Sequence, residues 1–214
     1  MNKKRSSSLL DHLLSELDHG LKTLLVKPKS SSFYPDQNIP DLELSTQEIK
    51  KSSGLMRVNH TGEICAQALY RGQAFLAKNS ETRAYLLQAA QEENNHLAWC
   101  QKRLTEFNAH TSFLNFFWYA NSWLIGLTAA KISDSISLGF VVETENQVIQ
   151  HLSNHLVLLP PSDLKSRAIL NQMQQDEAHH ATTALSKGAA PLPKLIQKIM
   201  RAQSKIMTTT AFYF

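Results

Sequence analysis

The 214-residue chain is long enough to bury the core of one domain, and its few glycines and prolines, seven of each, favour a mainly helical fold. The net charge of +4 comes without a zinc finger, a glycine-rich phosphate loop or an aromatic-basic RNA motif, which argues against nucleic-acid binding. Cys65 and Cys100 lack CxxC spacing and indicate free thiols in a reducing compartment. Because Asp11 arrives before any long apolar run, the sequence predicts no secretory signal.

The first predicted helix covers Leu9 to Val26 and is amphipathic. Leucines at positions 10, 14, 17, 21 and 24 form one stripe, and Glu16 and His19, which lie off that stripe, are expected to be solvated. The prolines and serines between positions 27 and 40 then predict a linker. Residues 1–40 are therefore expected to form an N-terminal helix and linker ahead of the main domain.

A capping box of Ser45 and Glu48 begins the second predicted helix, which reaches about Lys78 and is loosened near Gly54. Glu63 lies on the apolar face of this helix, among a tyrosine and several small residues. The apolar stripe is interrupted by a glutamine, so this helix has the weakest pattern of the four that are expected to form a bundle.

The third predicted helix has Ser80 as its N-cap and reaches about Phe107. Glu93 lies among the leucines and alanines of its apolar face, whereas Glu92 falls at the edge of that face. Since residues three apart share a face of a helix, His96 points in the same direction as Glu93. This helix therefore directs one carboxylate and one imidazole towards the interior.

Residues 111–130 contain no Asp, Glu, Lys or Arg and are rich in aromatic side chains. Twenty such residues could span a bilayer at ~1.5 Å rise each. A span would separate Glu63 and Glu93 from Glu145 and Glu177, however, so that no shared site could form. We therefore interpret 111–132 as the long crossover of a bundle, lying in a membrane interface where Trp and Tyr are favoured. A fully buried crossover is the alternative.

The next predicted helix runs from Ser133 to Leu159, where two prolines end it. Glu145 lies on one line with leucines, valines and an isoleucine and is the most clearly buried carboxylate of the sequence. His151 and His155 fall beside that line and are interpreted as surface or capping histidines.

Ser162 is expected to open another helix, which ends at a glycine at position 188. Two overlapping acidic-x-x-His pairs occur within it, one beginning at Asp176 and one at Glu177. Glu177 lies on the apolar line of the helix and Asp176 does not, so we select the pair of Glu177 and His180.

The C-terminal segment, residues 189–214, contains a predicted basic amphipathic helix from Lys194 to Met207. Leucine and isoleucine side chains alternate with lysine and arginine along it. Such a helix either binds anionic lipid or packs on the bundle.

A single acidic-x-x-His pair proves little, because chance alone produces about 0.8 such matches in this composition. The order of the glutamates is more informative. The chain reads Glu, Glu-x-x-His, Glu, Glu-x-x-His in two similar halves, which is the ligand order of a di-metal carboxylate four-helix bundle. The predicted ligands are Glu63, Glu93, His96, Glu145, Glu177 and His180.

Charge balance supports the same interpretation. An ionised carboxylate in an apolar interior faces a Born penalty of order ~20 kcal/mol before relaxation, so four inward glutamates require compensation. No Lys or Arg lies on the helix faces of Glu93, Glu145 or Glu177. Two divalent ions would balance four carboxylates, and oxygen-rich ligation with one imidazole per ion suits iron or manganese.

Four stretches carry a more specific pattern. Residues 55–73 read Leu-Met-Arg-Val-Asn-His-Thr-Gly-Glu-Ile-Cys-Ala-Gln-Ala-Leu-Tyr-Arg-Gly-Gln. The other three are Glu-Asn-Asn-His-Leu, Gly-Phe-Val-Val-Glu-Thr-Glu-Asn-Gln-Val and Asp-Glu-Ala-His-His. In content and order they resemble the demethoxyubiquinone hydroxylase family of ubiquinone biosynthesis, and the likeness covers about residues 47–188.

The resemblance implies an all-α, ferritin-like di-iron four-helix bundle, here residues 41–188, with a crossover helix and amphipathic helices at both ends. It implies a membrane-associated monooxygenase that hydroxylates a polyprenyl methoxy-methyl-benzoquinol with O₂. The six predicted ligands would bind two iron ions and form the catalytic site, with Glu93 and Glu177 as bridging carboxylates.

Further expectations concern electrons and location. No GxGxxG fingerprint is present, so NADH, a candidate for the external reductant, would act through a partner or at a site without a standard fold. Reduction of the iron by the quinol itself is the alternative. A quinol with an isoprenoid tail resides in the bilayer, which implies a peripheral position on the cytoplasmic side of the cell membrane. Other ubiquinone-biosynthesis proteins or a second copy of the chain are expected partners, and nucleic acid is not.

Two alternative functions share the ligand pattern. A ferritin-like iron-binding or ferroxidase protein would have a soluble, cage-forming surface, which the aromatic run and the basic C-terminus disfavour. A di-iron hydroxylase of another substrate, such as modified tRNA, would place a basic groove beside the site, whereas the basic residues here lie mainly at the ends.

Overall fold

The computed structural model describes residues 8–214, and over that range the chain forms seven helices and no strand. The helices are α1 (Leu9–Leu25), α2 (Thr46–Leu76), α3 (Ser80–Glu106), α4 (Asn115–Ile132), α5 (Asp134–Leu158), α6 (Leu164–Ser186) and α7 (Lys194–Tyr213). The predicted all-α class is confirmed. The first seven residues of the predicted N-terminal segment lie outside the described part of the chain.

Helices α2, α3, α5 and α6 form a four-helix bundle, and α4 crosses between its two halves. Two apolar clusters of the core lie at the two ends of the bundle, and a smaller third one joins α2, α3 and α4. The first contains Leu69, Leu86, Leu138 and Val141, among others. The second contains Met56, Leu104, Leu152, Ile169 and Met173, among others. On each of the four helices the predicted ligands lie between these clusters, so the bundle encloses one polar layer between two apolar ones.

The helix starts differ from the predictions at two positions. Asn79 caps α3, since its Oδ1 accepts a hydrogen bond from the backbone N of Glu81 at 2.7 Å, and Ser80 is already helical. Asp163 caps α6 by accepting from the backbone N of Ser166 at 3.1 Å. In both cases a longer side chain one position away from the predicted serine reaches the free backbone donors of the first turn.

The C-terminal helix is longer than predicted and is attached to the bundle at its end. Arg57 Nη1 donates to the carbonyl oxygen of Phe212 at 2.7 Å, and the backbone N of Phe113 donates to the carbonyl oxygen of Phe214 at 3.0 Å. The ring of Phe212 lies directly over Gly54. Helix α2 is continuous through this glycine, so the predicted loosening there is wrong.

Helix α1 turns its polar face, not its leucine stripe, towards the bundle. Glu16 was expected to be solvated, but it accepts two hydrogen bonds from Arg71, at 2.9 Å from Nε and 2.7 Å from Nη2. Gly20 packs against the ring of Tyr119. On the other side of α1, Leu10 and Leu17 are 63 % and 59 % exposed.

Helix α4 crosses α2 at a point where two glycines remove the side chains between the backbones. A Cβ atom on Gly126 would lie 2.2 Å from the carbonyl oxygen of Leu69, and one on Gly72 would lie 2.2 Å from that of Trp123. The opposite face of α4 leaves large apolar side chains exposed, among them Phe116, Phe117 and Leu124. The crossover is therefore buried on one face only. Among the described residues, no helix has the length and apolar character needed to cross a membrane.

We expect Gly126→Ala to lower the free energy of unfolding by about 1–3 kcal/mol, because the added methyl group would collide with a backbone carbonyl that cannot move aside. Urea unfolding measures the change. Gly62→Ala is the matched control: it also lies in a helix but meets nothing within 4 Å, so it should gain about 1 kcal/mol from helix propensity. Equal effects of the two substitutions would contradict the close crossing of α4 and α2.

Candidate metal centre

The bundle brings all six predicted site residues into the polar layer between the two apolar clusters. Each of them is buried, and none is more than 4 % exposed. Helices α2 and α5 each contribute one glutamate, and α3 and α6 each contribute a glutamate and a histidine. The six residues are Glu63, Glu93, His96, Glu145, Glu177 and His180.

Their potential ligand atoms fall into two groups, and within each group the atoms lie within 4.8 Å of one another. The first group is Glu63, Glu93, His96 and Glu177, and the second is Glu93, Glu145, Glu177 and His180. Glu93 and Glu177 belong to both groups. These two carboxylates are therefore in position to be shared by two neighbouring ions.

The two histidines are oriented by carboxylates from the opposite helix. His96 turns Nδ1 towards the centre and donates from Nε2 to Asp176 Oδ2 at 3.1 Å. His180 donates from Nε2 to Glu92 Oε2 at 2.9 Å. Such outer carboxylates fix the ring and increase the basicity of a metal-bound imidazole. The helical pattern of the sequence does not identify either carboxylate as part of the site.

A signal for these outer carboxylates does exist in the sequence. Glu92 directly precedes Glu93 and Asp176 directly precedes Glu177, so both halves of the chain read acidic, Glu, x, x, His. Helical periodicity alone assigns the first acid to the helix edge. Only the packing of α3 beside α6 shows that this edge faces the histidine of the other helix.

Tyr70 is a further residue of the site that sequence reasoning did not assign. It is fully buried, and its hydroxyl donates a hydrogen bond to Glu145 Oε1. Tyr70 follows Glu63 by two helical turns on α2, so both project from the same face of that helix. The phenol therefore engages one oxygen of the glutamate that α5 contributes.

The ionisation of the site reflects its burial. Burial raises the pKa of Glu63 and Glu145 well above the usual value. Burial disfavours a charged His180, but its contacts with Glu177 and Glu93 raise the pKa of that ring to about 12. Burial also opposes ionisation of Glu93, yet contacts with the two histidines lower the pKa of this carboxyl. In this state protons on the imidazoles and carboxyls compensate the negative charge.

Metal ions would satisfy the buried carboxylate oxygens of the site better than the neighbouring side chains do. Glu63 Oε2 and Glu93 Oε1 are buried and receive no hydrogen bond. Among the described residues, no Lys or Arg forms an ion pair with any of the four glutamates, and only histidines do. Four carboxylates and two imidazoles form a donor set suited to first-row divalent ions. Metal binding should therefore displace protons from the site.

A cavity of about 140 Å³ lies beside this layer, bounded by α2, α4, α5 and α7. Glu63 forms part of its wall, and most of the remaining lining is apolar. A dry cavity of similar volume, about 150 Å³, accommodates a benzene ring. The polar side chains near its edge include Asn59 and His151, whose Oδ1 and Nε2 atoms are 3.2 Å apart. The cavity can therefore receive one six-membered ring next to the carboxylates.

The prediction that His151 and His155 are surface or capping residues is wrong for His155. His155 is only 6 % exposed, and its ring centroid lies 3.8 Å from that of His151. Burial lowers the pKa of His151 to about 4 and that of His155 to about 2. Both rings are thus neutral in the folded protein at pH 7.

These two histidines should make the protein sensitive to acid. In the unfolded chain each histidine has a pKa of ~6.5. Below that pH the unfolded state therefore binds more protons than the folded state. The stability that is present above that pH is lost as the pH falls towards about 4. We expect His155→Gln to reduce the slope of the unfolding free energy against pH by up to about 1.4 kcal/mol per pH unit, a limit that is approached near pH 5. Urea unfolding between pH 7 and pH 5 measures it. An unchanged slope would contradict a buried neutral His155, and the exposed His179, changed to Gln, is the control.

We expect Asp176→Asn to weaken metal binding by about 10–100-fold, since the carboxylate that holds Nε2 of His96 is lost. Competition with a chromogenic chelator, using Fe²⁺ or Mn²⁺, measures the affinity. Glu81→Gln, an exposed acid on α3, is the control and should not change it. Equal affinities for the two variants, with unchanged helical content, would contradict a positioning role for Asp176.

Comparisons with known proteins agree with this geometry. Residues 50–211 match the family model described as "Ubiquinone biosynthesis protein COQ7". The chain is 50 % identical over 211 residues to a protein of Legionella pneumophila (strain Paris) named 3-demethoxyubiquinol 3-hydroxylase. It is 50 % identical over 212 residues to the protein of the same name from Coxiella burnetii (strain RSA 493 / Nine Mile phase I). These alignments cover 98 % and 99 % of this chain and 99 % of each relative.

Proposed function

The chain belongs to the Ubiquinone biosynthesis protein COQ7 family and is a hydroxylase of that pathway, and we propose that it hydroxylates a polyprenyl demethoxyubiquinol with O₂ at a di-iron centre. The observation that carries this proposal is the pair of ligand groups that share Glu93 and Glu177. Two divalent ions would balance the four buried carboxylates while both imidazoles stay neutral. We therefore assign Glu63, Glu93, His96, Glu145, Glu177 and His180 as the iron ligands.

In this proposal iron supplies the redox chemistry: one atom of O₂ enters the ring C–H bond, and the other leaves as water with two electrons and two protons. The electrons come from an external reductant, for which NADH is a candidate. The protein's own residues keep the centre in place. Glu92 and Asp176 hold the imidazoles, and Tyr70 holds one oxygen of Glu145.

The quinol ring would occupy the cavity beside Glu63. The apolar lining excludes water from the ring, and the Asn59 amide and the His151 imidazole are placed to hydrogen-bond to its hydroxyl groups. The lining of the same cavity includes Ile125 on α4 and Met200 and Met207 on α7. An isoprenoid tail attached to a ring in this position would leave between these two helices.

Helices α4 and α7, between which the tail would leave, carry features suited to a peripheral contact with a membrane. Phe116 and Phe117 project from the outer face of α4 and are more than half exposed. On α7, basic side chains such as Lys198 and Arg201 alternate with exposed apolar ones such as Ile199. A basic amphipathic helix beside an aromatic patch favours an anionic lipid surface. We place this surface on the cytoplasmic side of the cell membrane.

Glu145→Gln tests the proposed centre, because the substitution keeps the shape of the side chain and removes its charge. We expect the iron content to fall below two ions per chain and hydroxylation of a short-chain demethoxyubiquinol to fall at least about 100-fold. Circular dichroism should show unchanged helices. Iron content is measured by atomic absorption and the product by mass spectrometry.

The matched control is Glu143→Gln, on the same helix, where the carboxylate accepts a hydrogen bond from Gln147 at 2.7 Å and belongs to neither ligand group. It should keep both iron and activity. Two iron ions per chain and full activity in Glu145→Gln would refute the ligand assignment. Normal ubiquinone without a demethoxy precursor, in cells that lack the protein, would refute the proposed substrate.

A further inference from the structure

An open cleft of about 840 Å³ lies between α1 and the outer faces of α2 and α3, away from the metal centre and its cavity. One wall is the polar face of α1. The α1 residues that line it are His12, Ser15, Glu16, His19, Lys22 and Thr23. Their spacing of three and four positions marks one side of the helix. Four leucines of the stripe, at positions 10, 14, 17 and 21, are exposed on the other side, and only Leu24 packs against the core. Most of α1 is therefore oriented in the opposite way to a helix that packs its apolar face on a core.

The cleft is strongly cationic. Its charged lining residues other than histidine are Lys22, Lys27, Lys29, Arg71, Arg83 and, as the one carboxylate, Glu16. Arg71 is neutralised by Glu16, and Lys22 pairs with Asp18 at 2.6 Å. Lys27, Lys29 and Arg83 form no ion pair with any described residue. Three uncompensated cations therefore face one opening.

The interior of the cleft combines apolar surface with an excess of donors. Phe75, Leu87 and Leu97 are among the apolar residues that line it. Gln67 is 5 % exposed; its Oε1 accepts a hydrogen bond from Thr23, while its Nε2 has no hydrogen-bond partner. A ligand suited to this lining has an anionic, hydrogen-bond-accepting group attached to an apolar body.

We propose that the cleft binds the phosphate headgroup of an anionic phospholipid while the leucine stripe of α1 inserts into the adjoining acyl layer. The inference deepens the proposed function, since it rests on the enzyme working at a membrane. Lys27, Lys29 and Arg83 would contact the phosphate, and the apolar lining would contact the glycerol and the first methylenes of the chains. A helix in the interface buries its apolar face about 5–10 Å deep, which sets the cleft at headgroup level.

A phospholipid accounts for both the cationic cleft on one side of α1 and the exposed leucines on the other, whereas other occupants account for only one of these features. A soluble phosphate compound would fill the cleft but leave the leucines in water, with Leu10, Leu14 and Leu17 each more than half exposed. A second copy of the chain could cover these leucines, but it would bring the same uncompensated cations close to the first set. Only an anionic surface with an apolar interior complements the leucines and the cations together.

Vesicle binding by the iron-loaded full chain tests this assignment. The triple variant Lys27→Gln, Lys29→Gln, Arg83→Gln is compared with the parent on phosphatidylcholine vesicles with and without phosphatidylglycerol. We expect binding to the phosphatidylglycerol vesicles to weaken about 100-fold, as three cations near an anionic surface are lost. Leu14→Gln with Leu17→Gln should weaken binding to both vesicle types.

The control removes the same charge from exposed lysines outside the cleft, through Lys50→Gln, Lys51→Gln and Lys187→Gln. It should change binding by less than about tenfold, because exposed charges beyond a Debye length are screened. If both triple variants lost the same amount of vesicle affinity, net charge alone would account for the effect and the proposal would be overturned. It would also be overturned if neither variant lost affinity. Calorimetry with inorganic phosphate and ADP separates lipid from soluble ligands.

Cleft-dependent binding of ADP or phosphate without a preference for phosphatidylglycerol would overturn the lipid assignment. A stable dimer that does not bind vesicles, detected by light scattering, would overturn it as well. Hydroxylation of detergent-solubilised demethoxyubiquinol is measured in parallel. If the parent binds lipid through the cleft but does not hydroxylate this quinol, the proposed function fails while the lipid site stands. If the cleft variant hydroxylates normally yet binds vesicles like the parent, only the lipid site fails.

Discussion

The structure depends on the enclosure of four carboxylates in one layer between two apolar clusters. Each of these glutamates is at most 3 % exposed, and none has a lysine or arginine partner among the described residues. Buried charge of one sign is tolerated only when protons or metal ions compensate it. The surrounding side chains serve that requirement: Asp176 and Glu92 orient the imidazoles, and Tyr70 engages Glu145.

The position of this layer within the bundle determines from which side a substrate could reach it. The apolar clusters lie at the two ends of the bundle, and the cavity between α2, α4, α5 and α7 reaches the layer from the side, at Glu63. The close glycine crossing holds α4 against α2, and the backbone contacts of Phe212 and Phe214 hold α7 in place. The outer surfaces of these two helices, together with α1, leave apolar side chains uncovered.

Amphipathic periodicity correctly identified the helices but did not always identify the side that faces the protein. In α1 most of the leucine stripe faces outwards because the other side of the helix pairs Glu16 with Arg71 on α2 and packs Gly20 closely against the ring of Tyr119 on α4. The prediction for His155 was wrong for a related reason, since the ring of His151 lies against it with the ring centroids 3.8 Å apart. An apolar stripe shows which side chains share a face of one helix. The packing of the neighbouring helices decides whether that face is buried or exposed.

The sequence by itself determined the helical class, the main helix boundaries to within a few residues and the order in which six ligand-type residues occur along the chain. These are local properties, since helical period, capping and spacing act within a few turns. The family resemblance also implied that Glu93 and Glu177 are the shared carboxylates, which agrees with their place in both ligand groups. Only the tertiary structure decided that Glu92 and Asp176 reach across to the histidines of opposite helices, and that most of the leucine stripe of α1 faces outwards. Such contacts join residues about 80 or more positions apart, and their distances are set by how whole helices pack.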